Sequence, residues 1–164
     1  MNKKLTSERG ITLPELLAVF VILGFLSIVI ISFLINGFKQ QARLQIEAEL
    51  RDEADIIMAE LISDIYTLKK SDLKEEHFPQ SGTNNYYFEL LDGEKVGFID
   101  GEIQLKSGDS VSLTTNKIVL EKQSKIELID EAKGLYRITL VLKKAGEGVG
   151  QTLTTESEVS IIMN

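Results

Sequence analysis

The chain has 164 residues, of which 43% are hydrophobic and 26% are charged, and its formal net charge at neutral pH is −7. This acidic balance does not favour nonspecific nucleic-acid binding, which depends on Lys and Arg side chains that neutralise phosphates. The sequence contains no cysteine, which excludes a disulfide framework and any metal site with thiolate ligands. Apolar residues are concentrated in the N-terminal quarter, and the 126 residues after Phe38 suffice for one modest domain with its own core.

The N-terminal segment has the composition of a membrane span. Residues 1–10 have a net charge of +2, and the twenty residues from 16 to 35 carry no charge. Twenty apolar residues in a helix cover a hydrocarbon core of about 30 Å. Glu15 lies at the edge of this run, where an ionised carboxylate costs free energy in lipid, so it is a candidate functional residue.

The residues around Glu15 form a recognisable motif. Residues 10–16 read Gly-Ile-Thr-Leu-Pro-Glu-Leu, and this segment resembles the cleavage and methylation motif of type IV prepilins and of pseudopilins from type II secretion and competence systems. The resemblance implies that a membrane-embedded prepilin peptidase cuts between Gly10 and Ile11 and then methylates the new amine of Ile11. Ile11 replaces the commoner Phe and Pro14 replaces an aliphatic residue, variations that favour a minor subunit.

The resemblance also implies a fold, of class α+β. A long helix with a transmembrane half and an amphipathic half would pack on an antiparallel β-sheet domain. The predicted organisation is a leader peptide at 1–10, a transmembrane and assembly segment at 11–38, an amphipathic continuation at 39–70 and an extracytoplasmic β-rich domain at 71–164.

The implied function is that of a structural, minor pilin or pseudopilin subunit in a filament for DNA uptake, protein secretion or adhesion. Its partners would be prepilin peptidase, sibling subunits, membrane lipid and a platform membrane protein driven by a cytoplasmic ATPase. The chain would reside in the cytoplasmic membrane with its C-terminal domain outside, and reach the cell surface after assembly. Many pilins of Gram-negative bacteria close a loop with a disulfide, so the lack of cysteine favours a Gram-positive host.

Glu15 has a physical role in this scheme. The new amine of Ile11 is positive and an ionised Glu15 is negative, and two such charges attract far more strongly in a low-dielectric bundle than in water. The resemblance implies that the pair forms between subunits and sets the axial register of a filament, because a heterologous contact that does not close generates an open helix. The alternative is that Glu15 merely lies at the level of the lipid headgroups.

Three other interpretations of the N-terminal segment remain. A secretory signal peptide has an apolar region of roughly 7–15 residues and a small-residue cleavage site, and neither fits. A core helix of a soluble protein needs a far larger domain to cover it. An uncleaved anchor fits the length, and predicts a single-pass membrane protein whose external β-domain binds a ligand or senses the envelope.

The next segment has a helical stripe of apolar residues. Its members recur at spacings of three and four, and they are Ile46, Leu50, Ala54, Ile57, Leu61, Ile65 and Leu68. Such a one-sided stripe predicts an amphipathic helix that packs on the sheet of the same chain. A coiled-coil seam between chains is the alternative.

After Lys70 the pattern changes to short β-like runs separated by turn signals such as the Asp-Gly pairs at 92–93 and 100–101. The sequence predicts one antiparallel sheet, with a loop at 71–85 leading into it. The predicted strands are 86–91, 95–99, 103–106, 110–114, 117–121, 125–130, 135–143 and 152–163.

The sequence offers no set of catalytic residues, so we predict a protein that is not an enzyme and that holds no cofactor or metal. His77 is the only histidine, which excludes a site with several histidine ligands, and we expect it in a solvated loop. The glycine-rich residues 145–150 lack the Lys-Ser/Thr of a phosphate loop and predict a hairpin tip. The acidic turns at 92–94 and 100–102 do not match the spacing of an EF-hand.

Overall fold

The computed structural model describes residues 12–79, 85–106, 110–111, 118–145 and 151–163. A 54-residue helix, α1, runs from Leu13 to Tyr66, and antiparallel strands follow it. The α+β class predicted from the sequence is therefore confirmed. The chain divides into two compact units, Met1–Ala42 and Arg43–Asn164, and each is described by itself.

In the second unit, the apolar stripe of α1 is buried. Leu61 and Ile65 have no exposed surface, while the acidic residues at 47, 49, 52, 55 and 60 face solvent. Asp64 connects this helix to the segment at Lys106, whose backbone N–H donates a hydrogen bond of 2.7 Å to the Asp64 carboxylate. The stripe therefore packs on its own chain, as predicted, and does not form a coiled-coil seam.

The strands have between two and ten residues, and all of them pair antiparallel. A single 3₁₀ turn at Lys70–Asp72 leads from the helix into the first of them. Their bounds are β1 Leu73–His77, β2 Tyr86–Leu90, β3 Lys95–Ile99, β4 Glu102–Gln104, β5 Ser110–Val111, β6 Ile118–Leu120, β7 Lys125–Asp130, β8 Leu135–Lys144 and β9 Thr152–Ser160.

These strands form two sheets rather than the single predicted sheet. The first has the order β1-β2-β3-β4-β5. In the second sheet, β9 pairs along nearly the whole length of one edge of β8. The other edge of β8 is shared by two strands: β6 pairs with residues 142–144 of β8, and β7 pairs with residues 135–139 of β8. Val141 of β8 lies between the segments that pair with β6 and with β7. Its backbone N–H donates a hydrogen bond of 2.9 Å to the side-chain hydroxyl of Ser124 instead of to a strand. Alternation in a sequence predicts which face of a strand is buried but not its partner, which explains the error.

The predicted loop at 71–85 is also partly wrong, because Leu73–His77 form β1. The strand is polar and lies at the edge of the first sheet, where it pairs only with β2. Charged residues hold it there: Lys74 forms an ion pair with Glu89 on β2, and this hydrogen bond lowers the pKa of Glu89.

The core of this unit lies between the inner faces of the sheets and the helix stripe. Phe78, Phe88 and Tyr136 meet edge to face, with ring centroids 5.0–5.8 Å apart, a favourable aromatic arrangement. Burial raises the pKa of Tyr136, and the nearby Glu76 carboxylate raises it further. Tyr136 therefore stays neutral and acts as a core residue.

Gly97 fixes the pairing of β2 with β3. Its φ is +139°, and a Cβ at this position would lie 2.3 Å from the backbone oxygen of Tyr86. We expect Gly97→Ala to lower the free energy of unfolding by about 2–3 kcal/mol, because backbone strain and a clash with main-chain atoms add.

Gly101→Ala is the matched control, since Gly101 also has a positive φ (+83°) but nothing lies within 4 Å of an added Cβ. Its loss should be about 1 kcal/mol from strain alone. Denaturant unfolding of both variants tests this, and equal losses would show that the close approach at Gly97 has no energetic weight.

Candidate functional site

Glu15 lies in the first turn of α1, and Thr12 caps that turn. The carbonyl oxygen of Thr12 accepts the backbone N–H groups of Glu15 at 3.0 Å and Leu16 at 3.1 Å. The Glu15 carboxylate turns back toward the cap, with Oε2 at 3.4 Å from the Thr12 hydroxyl and 3.5 Å from the Thr12 N–H. Both contacts are long for hydrogen bonds, so the exposed carboxylate keeps most of its capacity for another partner.

This geometry gives Glu15 a local role that sequence reasoning missed. Thr12-Leu13-Pro14-Glu15 has the spacing of a capping box, in which a Thr at the cap is followed three residues later by Glu or Gln. A carboxylate in the first turn also complements the helix dipole, worth about 0.3–1 kcal/mol. The signal for this role is present in the sequence, since Thr12 and Glu15 have the Thr-x-x-Glu spacing of a capping box.

Pro14 is the second residue of α1. Proline is tolerated there because the first N–H groups of a helix have no partner within the helix. Pro14 therefore fits the first turn of α1.

The apolar part of α1 is exposed along its length. Its large side chains keep about half or more of their surface free, from 49% for Ile35 to 79% for Phe33. In the described part of the chain this is the one helix long and apolar enough to cross a membrane, with a mean hydropathy of 3.0 in its most apolar window and none of that window buried. A core helix passes the same test of length and composition, but such a helix is mostly buried.

Polar side chains are few in this segment, and that of Ser27 is hydrogen-bonded within the helix. The hydroxyl of Ser27 donates to the backbone oxygen of Leu23 at 2.7 Å, a bond that removes its need for water. Glu15 is the only acidic residue between Glu8 and Glu47. It is therefore the only carboxylate that an assembly of these apolar helices would have to neutralise.

No family model, curated protein or solved structure matches this chain. Of the three predicted site residues, the structure describes Glu15, while Gly10 and Ile11 lie outside the described residues. The roles of all three therefore stay predictions.

The prediction that His77 lies in a solvated loop is wrong, because His77 is the last residue of β1. Its ring stacks on Tyr87 of β2 at a centroid distance of 4.9 Å, and its Nδ1 lies 3.7 Å from the Glu75 carboxylate. Aromatic stacking across the strand pair and a neighbouring acid account for its position. Within the described ranges, no group of three or more His, Asp or Glu side chains has the geometry to hold a metal ion.

The two Asp-Gly turns have ordinary turn geometry. Asp92 accepts the backbone N–H of Glu94 at 3.0 Å, and the N–H of Asp100 donates to the Asn85 side chain at 2.8 Å. Such side-chain bonds to the backbone are what Asp and Asn supply in turns. Most of the glycine-rich tip predicted at 145–150 lies outside the described residues.

Proposed function

We propose that this chain is a structural, minor pilin or pseudopilin subunit that prepilin peptidase processes and that assembles into a type IV pilus-like filament. The observation that carries the proposal is the position of Glu15 at the start of the apolar part of α1, where no other acidic residue occurs before Glu47 and the large side chains are exposed. An anchor needs the apolar helix, and Glu15 would serve an anchor only as a residue that stabilises the start of the helix. The resemblance implies a cleavage site between Gly10 and Ile11, shortly before Glu15 in the chain.

The exposed helix supports an assembly function on physical grounds. An apolar surface on all sides of a helix must be covered by lipid or by other helices. A subunit that leaves the membrane for a filament exchanges one cover for the other at little cost, because lipid tails are as apolar as Leu side chains. The remaining cost is the charge of Glu15, and the amine of a neighbouring subunit's residue 11 would offset it.

The filament serves DNA uptake, protein secretion or adhesion. The absence of cysteine and the acidic domain favour a Gram-positive competence or pilus system. The proposed location is the cytoplasmic membrane with the C-terminal domain outside, and the filament after assembly. The partners are prepilin peptidase, sibling subunits and the platform membrane protein of the machine.

The test is the N-terminus of the membrane-extracted protein, measured by mass spectrometry in cells with and without prepilin peptidase. We expect a chain that begins at N-methylated Ile11 only where the peptidase is present. Gly10→Val should abolish this product, because a branched side chain next to the scissile bond obstructs the peptidase.

Gly24→Val is the matched control, since a Cβ at Gly24 meets no atom within 4 Å, and it should be processed like the wild type. Chains that begin near Met1 in both strains would make the protein an uncleaved single-pass anchor. Its function would then lie in ligand binding or sensing by the β-domain.

A further inference from the structure

Past β9, the chain crosses the second unit and holds two other parts of it together. The backbone N–H of Ile161 donates a hydrogen bond of 3.0 Å to the oxygen of Gly134, in the turn between β7 and β8. The N–H of Ile162 donates to the oxygen of Leu68 at 2.8 Å, and the oxygen of Ile162 accepts the N–H of Lys70 at 2.9 Å. We call these three hydrogen bonds the clasp, because they join the turn after β7 to the chain that follows α1.

Met163 packs beside the clasp, on a glycine. Gly134 has a φ of +58°, and a Cβ at this position would lie 2.6 Å from the Sδ of Met163 and 2.8 Å from the Cγ1 of Ile161. These two side chains therefore fill the space that a larger residue in the turn would need. Met163 is nevertheless 43% exposed, so the residue is packed on one side and open to solvent on the other.

Of the methionines that the structure describes, Met163 is the one that a reagent in solution can reach. The chain has three methionines and no cysteine. Met58 lies in the core and is 6% exposed, and Met1 lies outside the described residues. Accessible thioethers are the ones that oxidants convert to methionine sulfoxide.

The reaction transfers one oxygen atom from a peroxide to the sulfur. A lone pair of the sulfur attacks one peroxide oxygen, the O–O bond breaks and an S–O bond forms. With hydrogen peroxide, the second oxygen leaves as water together with both hydrogens. The thioether loses two electrons and the peroxide gains them, so no other reactant is needed.

Oxidation changes what the side chain prefers to contact. A thioether packs well against carbon, whereas a sulfoxide is polar and needs a hydrogen-bond donor or water. On its packed side, Met163 faces Gly134, which has no side chain, and Ile161, whose side chain has no polar atom. We therefore expect the sulfoxide to turn toward solvent, which removes the cover from Ile161, now 4% exposed.

We infer that Met163 is an oxidation site and that its sulfoxide opens the clasp. The link between the chain after α1 and the turn after β7 then depends on whether a peroxide has reached the protein. Methionine sulfoxide reductases reverse the reaction, so the link is a redox-sensitive switch. The inference rests neither on cleavage of the N-terminus nor on assembly into a filament.

The first test is the rate of oxidation in the full-length chain, held in lipid nanodiscs and treated with hydrogen peroxide. Peptide mass spectrometry should find Met163 oxidised at least about tenfold faster than Met58, because burial protects a thioether from oxidants. Equal rates at the two residues would overturn the assignment of the site.

The second test is amide hydrogen exchange in the same samples, since exchange reports local opening. Oxidation should accelerate exchange about tenfold at the three N–H donors of the clasp, which are those of Lys70, Ile161 and Ile162. The N–H of Glu121, which donates to the oxygen of Val141 at 2.8 Å, is the internal control and should not change. Oxidation of the sulfur that leaves exchange at the clasp unchanged would overturn the inference.

Variants separate the chemistry of the sulfur from its packing. Met163→Leu keeps an apolar contact and cannot be oxidised, so exchange at the clasp should stay slow in peroxide. Met163→Gln introduces a polar group of similar length, so exchange should be fast without peroxide. Met58→Leu is the matched control, and its response to peroxide should equal that of the wild type.

The variants and a reductase can each contradict the switch. A normal peroxide response in Met163→Leu, or slow exchange in Met163→Gln, would show that this side chain does not govern the clasp. Methionine sulfoxide reductases for both epimers should restore slow exchange in the oxidised protein. If they repaired the sulfur and exchange stayed fast, oxidation would be damage and not a switch.

Discussion

Glu15→Gln should leave cleavage intact and reduce the processed protein found in filaments by roughly a hundredfold or more. Removal of one partner of a buried ion pair leaves the other charge unpaired in low dielectric, at a cost of roughly 3–5 kcal/mol. Glutamine at this position still satisfies a capping box, so this substitution removes the charge and keeps the helix start. The measurement is the fraction of N-methylated protein in sheared filaments against that in membranes.

Thr12→Ala is the complementary control. It removes the hydroxyl that lies 3.4 Å from the Glu15 carboxylate at the N-cap position of α1, and it keeps the charge. A lost cap costs about 1 kcal/mol of helix stability, and we expect assembly to persist. If Glu15→Gln assembled normally and Thr12→Ala failed, Glu15 would be a capping residue and the intersubunit pair would have to be abandoned.

Leu61→Ala should lower the free energy of unfolding of the second unit by about 2–5 kcal/mol. Leu61 has no exposed surface in the core between helix and sheets. Its truncation removes buried apolar atoms and leaves a cavity that a packed core closes only in part. Near-UV circular dichroism of the full chain in detergent follows the loss, because the buried Tyr136 ring reports on tertiary packing.

Ile56→Ala on the same helix is the matched control. Ile56 is 59% exposed, so its truncation should change the free energy of unfolding by less than about 0.5 kcal/mol. Equal losses in the two variants at all protein concentrations would contradict the burial pattern of α1. A loss at Ile56 that grows on dilution would instead reveal a contact between copies through that face.

Local sequence patterns predicted much of the second unit. The strands at 95–99 and 125–130 agree with β3 and β7, and the stripe from Leu50 to Leu68 is buried as expected. These elements carry their signal in their own residues, since alternation or a helical period marks the buried face. The capping box at Thr12 and Glu15 carried such a signal too.

Other features have no local signal. The residues of β1 are too polar to be recognised as a strand from the sequence. The position of β1 depends on pairing with β2, for example through Lys74 and Glu89, which are fifteen residues apart in the chain. The division into two sheets depends on β8, which takes partners from both directions along the chain. Phe78, Pro79 and Tyr86 meet residues 125–128 beside β7, and no short window of sequence contains both groups.

The sequence by itself thus determined the exposed apolar helix, its lone carboxylate and the helical stripe, because periodicity and charge act over a few neighbouring residues. The tertiary structure alone decided which strands pair and which strands lie at the edges of the two sheets. Those outcomes depend on contacts between residues distant in the chain. Such contacts stabilise the fold only after the intervening segments have been brought together.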